Sequence, residues 1–252
     1  MLKVGLSGCN GVMGRVVNSV INKLDDVEIV YGIDRSVDKY ENSYKVYESA
    51  ESVEEICDVI IDFSNPANLN GLLNLCVAKK IPLVIATTGI SEHQEENIKK
   101  ASEFVAIFKS SNTSLGINVL IDLVKKATSV LGESFDIEII EKHHNKKLDA
   151  PSGTAHMIAN AINEEMDNTM EYKYGREGKT SKREPKEVGI HAVRGGTIPG
   201  EHTVVFAGMD EVIEIKHEAL SKAIFAKGAV EAAKFVSDKE CGVYNMNDLI
   251  NK

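Results

Sequence analysis

The chain has 252 residues, 43% hydrophobic and 27% charged, with a formal net charge of −9. That length supports a real hydrophobic core in one large domain or two modest ones. The acidic balance argues against nucleic acid as the main partner, and no apolar run approaches the ~18 residues of a membrane span. The four cysteines, Cys9, Cys57, Cys76 and Cys241, form no CxxC pair and no metal spacing, so free thiols and no metal are expected. Met1–Ser7 runs straight into a strand pattern without a signal-peptide core, and a soluble cytoplasmic protein is expected.

The first ~110 residues alternate short aliphatic runs with helical patterns, the signature of parallel βαβ units. Strands are expected at Leu2–Ser7, Glu28–Ile33, Asp58–Phe63, Leu83–Ala86 and Phe104–Phe108, and helices at Val12–Leu24, Asn68–Lys79 and Glu92–Ser102. After Asn112 the texture changes. Leu115–Leu131 has Ile117, Leu120, Ile121, Val124 and Ala127 at helical spacing, and Phe135–Glu141 alternates like a half-buried strand. Thr154–Met166 reads as a helix, Tyr172–Lys186 as a polar loop, and Gly189–Arg194, His202–Ala207 and Glu211–His217 as antiparallel-style strands. Ala223–Val236 is a last helix. The expected architecture is α/β: a Rossmann-type parallel-sheet N-terminal domain over 1–113, followed by an α+β C-terminal part over 114–218. The pattern alone does not place the last helix against either.

Gly8-Cys9-Asn10-Gly11-Val12-Met13-Gly14 follows the first strand and opens the first helix. Glycines there permit the tight turn, let backbone N–H groups approach a pyrophosphate, and let helix and strand pack closely. Asp34 ends the second strand twenty residues past Gly14, where an acid binds the adenosine ribose hydroxyls. The alternative is a tight turn with no ligand, but strand, loop, helix and acid all agree on a dinucleotide. Arg35 suits a 2′-phosphate, or is a solvated surface charge. Asp34 speaks for NADH and Arg35 for NADPH. Two further loops, Ala86-Thr87-Thr88-Gly89 and Ser110-Ser111-Asn112-Thr113, sit at strand ends where ligands of open α/β sheets bind. Cys9 lies beside a helix start, a position that lowers a thiol's pKa, but packing or chance is the better reading of it.

The stretch Glu138–Ala155 is the most informative. Two histidines and three lysines crowd six positions, Lys142 to Lys147, in an acidic protein. Pro151-Ser152-Gly153-Thr154 then leads into a helix that Ser152 or Thr154 caps. A basic cluster at a helix N-terminus suits a substrate bearing carboxylates. Either histidine, or a lysine of the cluster, can supply a proton while hydride arrives from a cofactor. The competing reading is a solvated strand end with surface lysines.

Glu138 through Ala155 match the pattern E-I/V-x-E-x-H-x-x-x-K-x-D-x-P-S-G-T-A at every specified position. On this pattern the chain resembles the dihydrodipicolinate (4-hydroxy-tetrahydrodipicolinate) reductase family of lysine and diaminopimelate synthesis. The resemblance extends through the glycine loop, Asp34-Arg35, the Thr-Thr-Gly and Ser-Asn-Thr-Ser loops, and Val193-Arg194-Gly195 with Gly200-Glu201-His202-Thr203. It implies that Gly8, Cys9, Asn10, Gly11, Val12 and Met13 hold the pyrophosphate. Asp34 would then bind ribose and Arg35 the 2′-phosphate. Ala86, Thr87, Thr88, Ser110, Ser111, Asn112 and Thr113 would flank the nicotinamide. It further implies His143 as acid/base, Lys147 as proton donor, and His144, Ser152, Gly153 and Thr154 around a small dicarboxylate substrate. NADH and NADPH are the implied cofactors and a homotetramer the implied assembly, with 219–252 returning to the first domain and 114–218 serving substrate binding and oligomerisation. Three positions depart from the family's habit: Val12 lacks the frequent basic side chain, Thr113 stands where an aromatic is common, and Lys222 lies near an arginine of some members.

Two other readings compete. An idle dinucleotide-binding redox sensor has no reason to keep His143, Lys147 and the Ser-Gly-Thr turn together. A semialdehyde dehydrogenase needs a nucleophilic cysteine in the second half, where only Cys241 stands, near the C-terminus.

Overall fold

The computed structural model describes residues 1–251 and divides into two compact units. The first joins Met1–Leu115 to the chain from Lys222 onward; the second is Gly116–Ser221.

The first unit is built on a seven-stranded sheet. Its strands are β1 (Leu2–Ser7), β2 (Val27–Ile33), β3 (Lys45–Tyr47), β4 (Val59–Asp62), β5 (Leu83–Ile85), β6 (Ala106–Lys109) and β12 (Gly242–Tyr244). They run in the order β12-β6-β5-β4-β1-β2-β3, and every pairing is parallel. Alternate strand residues serve opposite faces. Val4, Leu6, Val59, Ile61 and Val84 share one core with α1 (Val12–Ile21) and α6 (Ala223–Val236). Ile60, Leu83 and Ile85 share the other with α2 (Leu69–Lys79) and α3 (Glu92–Ala101). A sheet covered on both faces explains the continuous aliphatic runs. Local signals set the ends: Ser91 and Gln94 form a capping box on α3, with acids in its first turn and lysines in its last.

Strand order reverses at β1, which pairs with β2 on one side and β4 on the other. Ligands of such sheets bind at this switch point, beyond the strands' carboxyl ends.

The second unit has a five-stranded mixed sheet with α4 (Leu115–Leu131) and α5 (Gly153–Glu165) packed on one face. Its strands are β7 (Asp136–His143), β8 (Glu171–Tyr174), β9 (Glu187–Arg194), β10 (Glu201–Ala207) and β11 (Val212–Glu218), in the order β11-β10-β7-β9-β8. Ile137, Ile139, Val188, Ile190, Val204 and Phe206 meet Leu120, Val124, Ile158 and Ile162 of the two helices.

Two expectations for this unit need correction. Only β10 pairs antiparallel, with β7 and β11; β7–β9 and β9–β8 are parallel. Side-chain alternation reports which face is buried, not strand direction, which the crossover through α5 decides. The polar segment from Tyr172 is also not wholly a loop: Glu171–Tyr174 is an edge strand whose largely exposed side chains mask its backbone pairing. Strands β3 and β12 lie outside the expected set because three residues at a sheet edge carry too little hydrophobic pattern. Among the described residues no helix is long and apolar enough to cross a membrane.

Candidate active site

In the first unit the chain leaves β1 through Gly8 at φ +78°, a left-handed conformation suited to glycine. A Cβ there would lie 2.7 Å from the Phe63 carbonyl oxygen. At Gly14 it would lie 2.1 Å from the Gly8 carbonyl oxygen. These glycines let α1 start almost against the strand end. Gly11 is its N-cap and offers no side-chain cap, so the first-turn N–H groups remain oriented toward an anion. Val12 is largely exposed at that start.

Asp34 is held beside the loop. Its two oxygens accept from Asn10 N (3.0 Å) and Ser36 N (2.9 Å), which leaves one lone pair on each for ribose hydroxyls. The structure adds residues that the sequence did not single out. Lys39 Nζ donates to the Asn10 carbonyl (3.3 Å), and Asn42 binds Asn10 Oδ1 (3.1 Å) while accepting from Arg15 (2.8 Å). Arg35 is exposed and donates to Asn68 Oδ1 at 3.3 Å. A cleft of about 980 Å³ runs from Gly8 and Gly11 past Asp34 and Arg35 to Glu48, Ser49 and Asn68.

A second cleft of about 320 Å³ is lined by Met13, Phe63, Ser64, Ala86, Thr87, Thr88, Ser110, Ser111, Asn112, Thr113 and Phe225. It thus gathers both strand-end loops singled out in the sequence, together with Phe225 from α6. Asp62, fully buried at the end of β4, organises its floor by accepting from Thr87 Oγ1 (2.7 Å) and Ser64 N (3.1 Å). Burial pushes its carboxyl up, against those hydrogen bonds. Thr113 turns its hydroxyl to the Phe225 carbonyl (2.7 Å).

Cys9 is a packing residue and not an activated thiol. It is buried, and its Sγ would stand 2.5 Å from a Cβ on Gly32. Burial, with the nearby Asp34 charge, pushes its thiol up to about 12. Desolvation outweighs the helix terminus here. Cys57 and Cys76 are likewise buried and raised.

In the second unit the signature residues converge on Glu141, whose side chain is fully buried. Arg194 of β9 grips it with two 2.7 Å bonds, Ser152 N donates to it at 2.9 Å, and His143 Nδ1 lies 2.6 Å away. Burial alone would raise this carboxyl, but Arg194, His143 and the Ser152 amide outweigh it and hold it low. An ionised carboxylate only accepts, so His143 Nδ1 donates and Nε2 is left for other work. A Cβ on Gly200 would lie 3.1 Å from that Nε2, so the glycine keeps its surroundings clear.

Ser152 caps α5 by accepting from Ala155 N at 3.1 Å. Of the two candidate caps, Ser152 takes the role. At Gly153 a Cβ would meet nothing within 4 Å, so protein packing does not require glycine there and the space before α5 is open. His144 carries a buried Nδ1 without a partner among the described residues. Lys147 pairs with the half-exposed Asp149 at 2.8 Å. Gly195 N donates to the His143 carbonyl (3.0 Å) and Asn145 N to the Gly196 carbonyl (3.2 Å), which ties the β9–β10 loop to this segment. Among the described residues no group of three or more His, Cys, Asp or Glu is arranged to hold a metal ion.

His202 is 4% exposed, shares a 2.9 Å hydrogen bond with Ser152 Oγ, and stacks edge-on against His143 with ring centroids 5.2 Å apart. Burial, then repulsion from His143, lowers its pKa to about 4. The folded protein keeps it neutral, whereas an unfolded chain protonates it near 6.5. Its contribution to stability is therefore complete above about pH 6.5 and is lost as pH falls toward 4. The loss is roughly 3 kcal/mol. Urea unfolding at pH 7 and pH 4 checks this: stability of H202N falls less than wild type by about that amount. Equal falls for both would refute it.

A glycine-rich βα turn at a parallel-sheet switch point, joined in one chain to a unit bearing a carboxylate-anchored histidine, defines an NAD(P)-dependent oxidoreductase. The known proteins narrow the class. Residues 2–113 match the family model described as dihydrodipicolinate reductase, N-terminus, and residues 116–250 the one described as its C-terminus. The chain is 50% identical over 252 residues to 4-hydroxy-tetrahydrodipicolinate reductase of Caldanaerobacter subterraneus subsp. tengcongensis, covering 100% of this chain and 99% of that protein. It is 47% identical over 251 residues to the enzyme of that name from Clostridium tetani, covering 100% and 98%. The dipicolinate-bound dihydrodipicolinate reductase from Paenisporosarcina sp. TG-14 shares the fold, with a TM-score of 0.81 at 22% identity over 98% of this chain and 99% of that one. The chain belongs to the dihydrodipicolinate reductase family.

Proposed function

We propose that this chain reduces 4-hydroxy-tetrahydrodipicolinate to tetrahydrodipicolinate in lysine and diaminopimelate synthesis, with NADH or NADPH as reductant. The observation that carries the reading is the Glu138–Ala155 segment. It folds so that His143 and the Ser152 turn share the two oxygens of one buried carboxylate.

The reaction needs a hydride, a proton and a grip on two carboxylates. The nicotinamide supplies the hydride when bound. The first unit has residues that fit a dinucleotide: a glycine turn without room for a Cβ, open first-turn amides, and Asp34 with lone pairs to spare. His143 and Lys147 supply the proton that must follow as charge builds on the reduced ring. The start of α5 at Ser152, Gly153 and Thr154, with His144, receives a carboxylate on oriented N–H groups. By family likeness the reading extends to a homotetramer in the cytoplasm; light scattering that gives a monomer would remove the tetramer.

Both cofactors are expected to serve, because Asp34 offers a ribose site while Arg35 and Lys39 stand exposed around it. The test condenses pyruvate with aspartate semialdehyde through the upstream synthase and follows NADH or NADPH oxidation on adding this protein. Oxidation of neither would overturn the reading. Arg35→Ala should raise KM for NADPH about ten- to a hundredfold and leave NADH unchanged, since one charged hydrogen bond to phosphate contributes about 1.5–3 kcal/mol. An unchanged KM for NADPH would remove Arg35 from the phosphate site.

A further inference from the structure

We propose that the Glu141–Arg194 pair is a positioning device for His143, fixing which ring nitrogen carries the proton and balancing the charge the ring feels. The inference rests on the reductase reading, in which His143 is the acid/base.

The geometry leaves Glu141 no other task. Oε1 accepts from Arg194 and Ser152 N, and Oε2 from Arg194 and His143 Nδ1. Four donors fill a carboxylate's roughly four acceptor positions. Glu141 is also fully buried, so neither substrate nor water reaches it. With its acceptor fixed, His143 holds its proton on Nδ1 in the neutral form and directs Nε2 to the side that Gly200 keeps open.

Arg194 supplies the balance. A bare buried carboxylate beside an imidazole would hold it permanently cationic, which defeats an acid that must give its proton away. The guanidinium neutralises Glu141 through a bidentate fork, so His143 feels a hydrogen-bonding dipole more than a full charge. Arg194 also donates to the Asp149 carbonyl (2.8 Å), and Ser152 N ties the same carboxylate to the start of α5. The acid, the Lys147–Asp149 loop and the helix start thus share one anchor. Other charged or titratable groups around His143 are His144, Lys147 and Asp149 on its own segment, His202 on β10 and His217 on β11. None of these is bonded to Glu141.

The test compares wild type, E141Q, R194Q and R194K by ¹⁵N NMR of the His143 ring, the pH profile of kcat, NADH affinity and thermal unfolding. Wild type should show the Nδ1–H tautomer at neutral pH. E141Q should turn part of the population to Nε2–H and lower kcat roughly 10²–10⁴-fold. Its high-pH limb should move down, because the cationic ring has lost its anion. R194Q should move that limb up, because the carboxylate is no longer shared. R194K should restore its position without fully restoring the rate. A merely structural role would scale all the profiles without moving them. Unmoved profiles, or a wild-type ring protonated on Nε2, would overturn the proposal. If wild type oxidised no NADH or NADPH, the reductase reading would fail while the tautomer result still decided the positioning claim. NADH affinity should stay within about twofold in every variant, since the dinucleotide residues lie in the first unit.

Discussion

Replacing His143 with alanine should lower turnover by about two to four powers of ten while NADH still binds, and Lys147→Ala should do the same. The size follows from the task. A hydride added to a conjugated imine leaves charge that a positioned acid must neutralise, and water at neutral pH is a poor substitute. The fold should survive both changes. Without His143, Glu141 keeps both bonds to Arg194 and the one from Ser152 N, so no buried charge is left unpaired. Among the described residues Lys147 pairs with the half-exposed Asp149, and such a pair contributes little, about 0–1 kcal/mol. Thermal melts should therefore stay within a few degrees of wild type. Steady-state kinetics and NADH titration together check the prediction. Full turnover in both variants would show that the proton comes from elsewhere.

The second large effect is expected at Gly14. An added Cβ would lie 2.1 Å from the Gly8 carbonyl oxygen and 2.7 Å from the Cys9 backbone. All these contacts are main chain, so no side chain can swing aside. The helix start must back away from β1, and the loop that Gly8 opens must follow it. Gly14→Ala should cost at least about 3 kcal/mol of stability, in the tail reserved for forced overpacking. It should weaken NADH binding at least about a hundredfold, since first-turn amides serve a pyrophosphate only at close range. Fluorescence titration of NADH with a urea melt separates the two losses. Unchanged affinity would mean that the close packing of α1 on β1 does not frame the cofactor site.

The glycine loop and the Glu138–Ala155 segment were legible because their information is local. A strand, a turn that needs glycine and a helix start are dictated by backbone sterics within a few residues, and Asp34 follows at the next strand's end. His143, Lys147 and Ser152 likewise fall within one short stretch, so a candidate site was legible there, while the roles proposed for them come from the family resemblance. The parallel sheet of the first half was legible for a related reason: aliphatic runs without alternation mark strands buried on both faces.

What surrounds those residues was not legible. Arg194 reaches Glu141 across 53 residues and His202 reaches Ser152 across 50, and no local pattern says that β9 and β10 flank β7. Phe225 joins the Thr87 and Ser110 loops only because α6 packs back onto the parallel sheet. Strands β3, β8 and β12 exist through pairing with their neighbours, since three or four residues at a sheet edge carry too little hydrophobic pattern to declare themselves. The direction of β9 and the raised thiol of Cys9 belong with them. The amino-acid sequence alone determined a glycine turn suited to a dinucleotide, a candidate site segment and the fold class, because sterics and periodicity act over short range. Only the tertiary structure decided which distant groups meet them, because burial, strand pairing and shared charge are properties of the assembled chain.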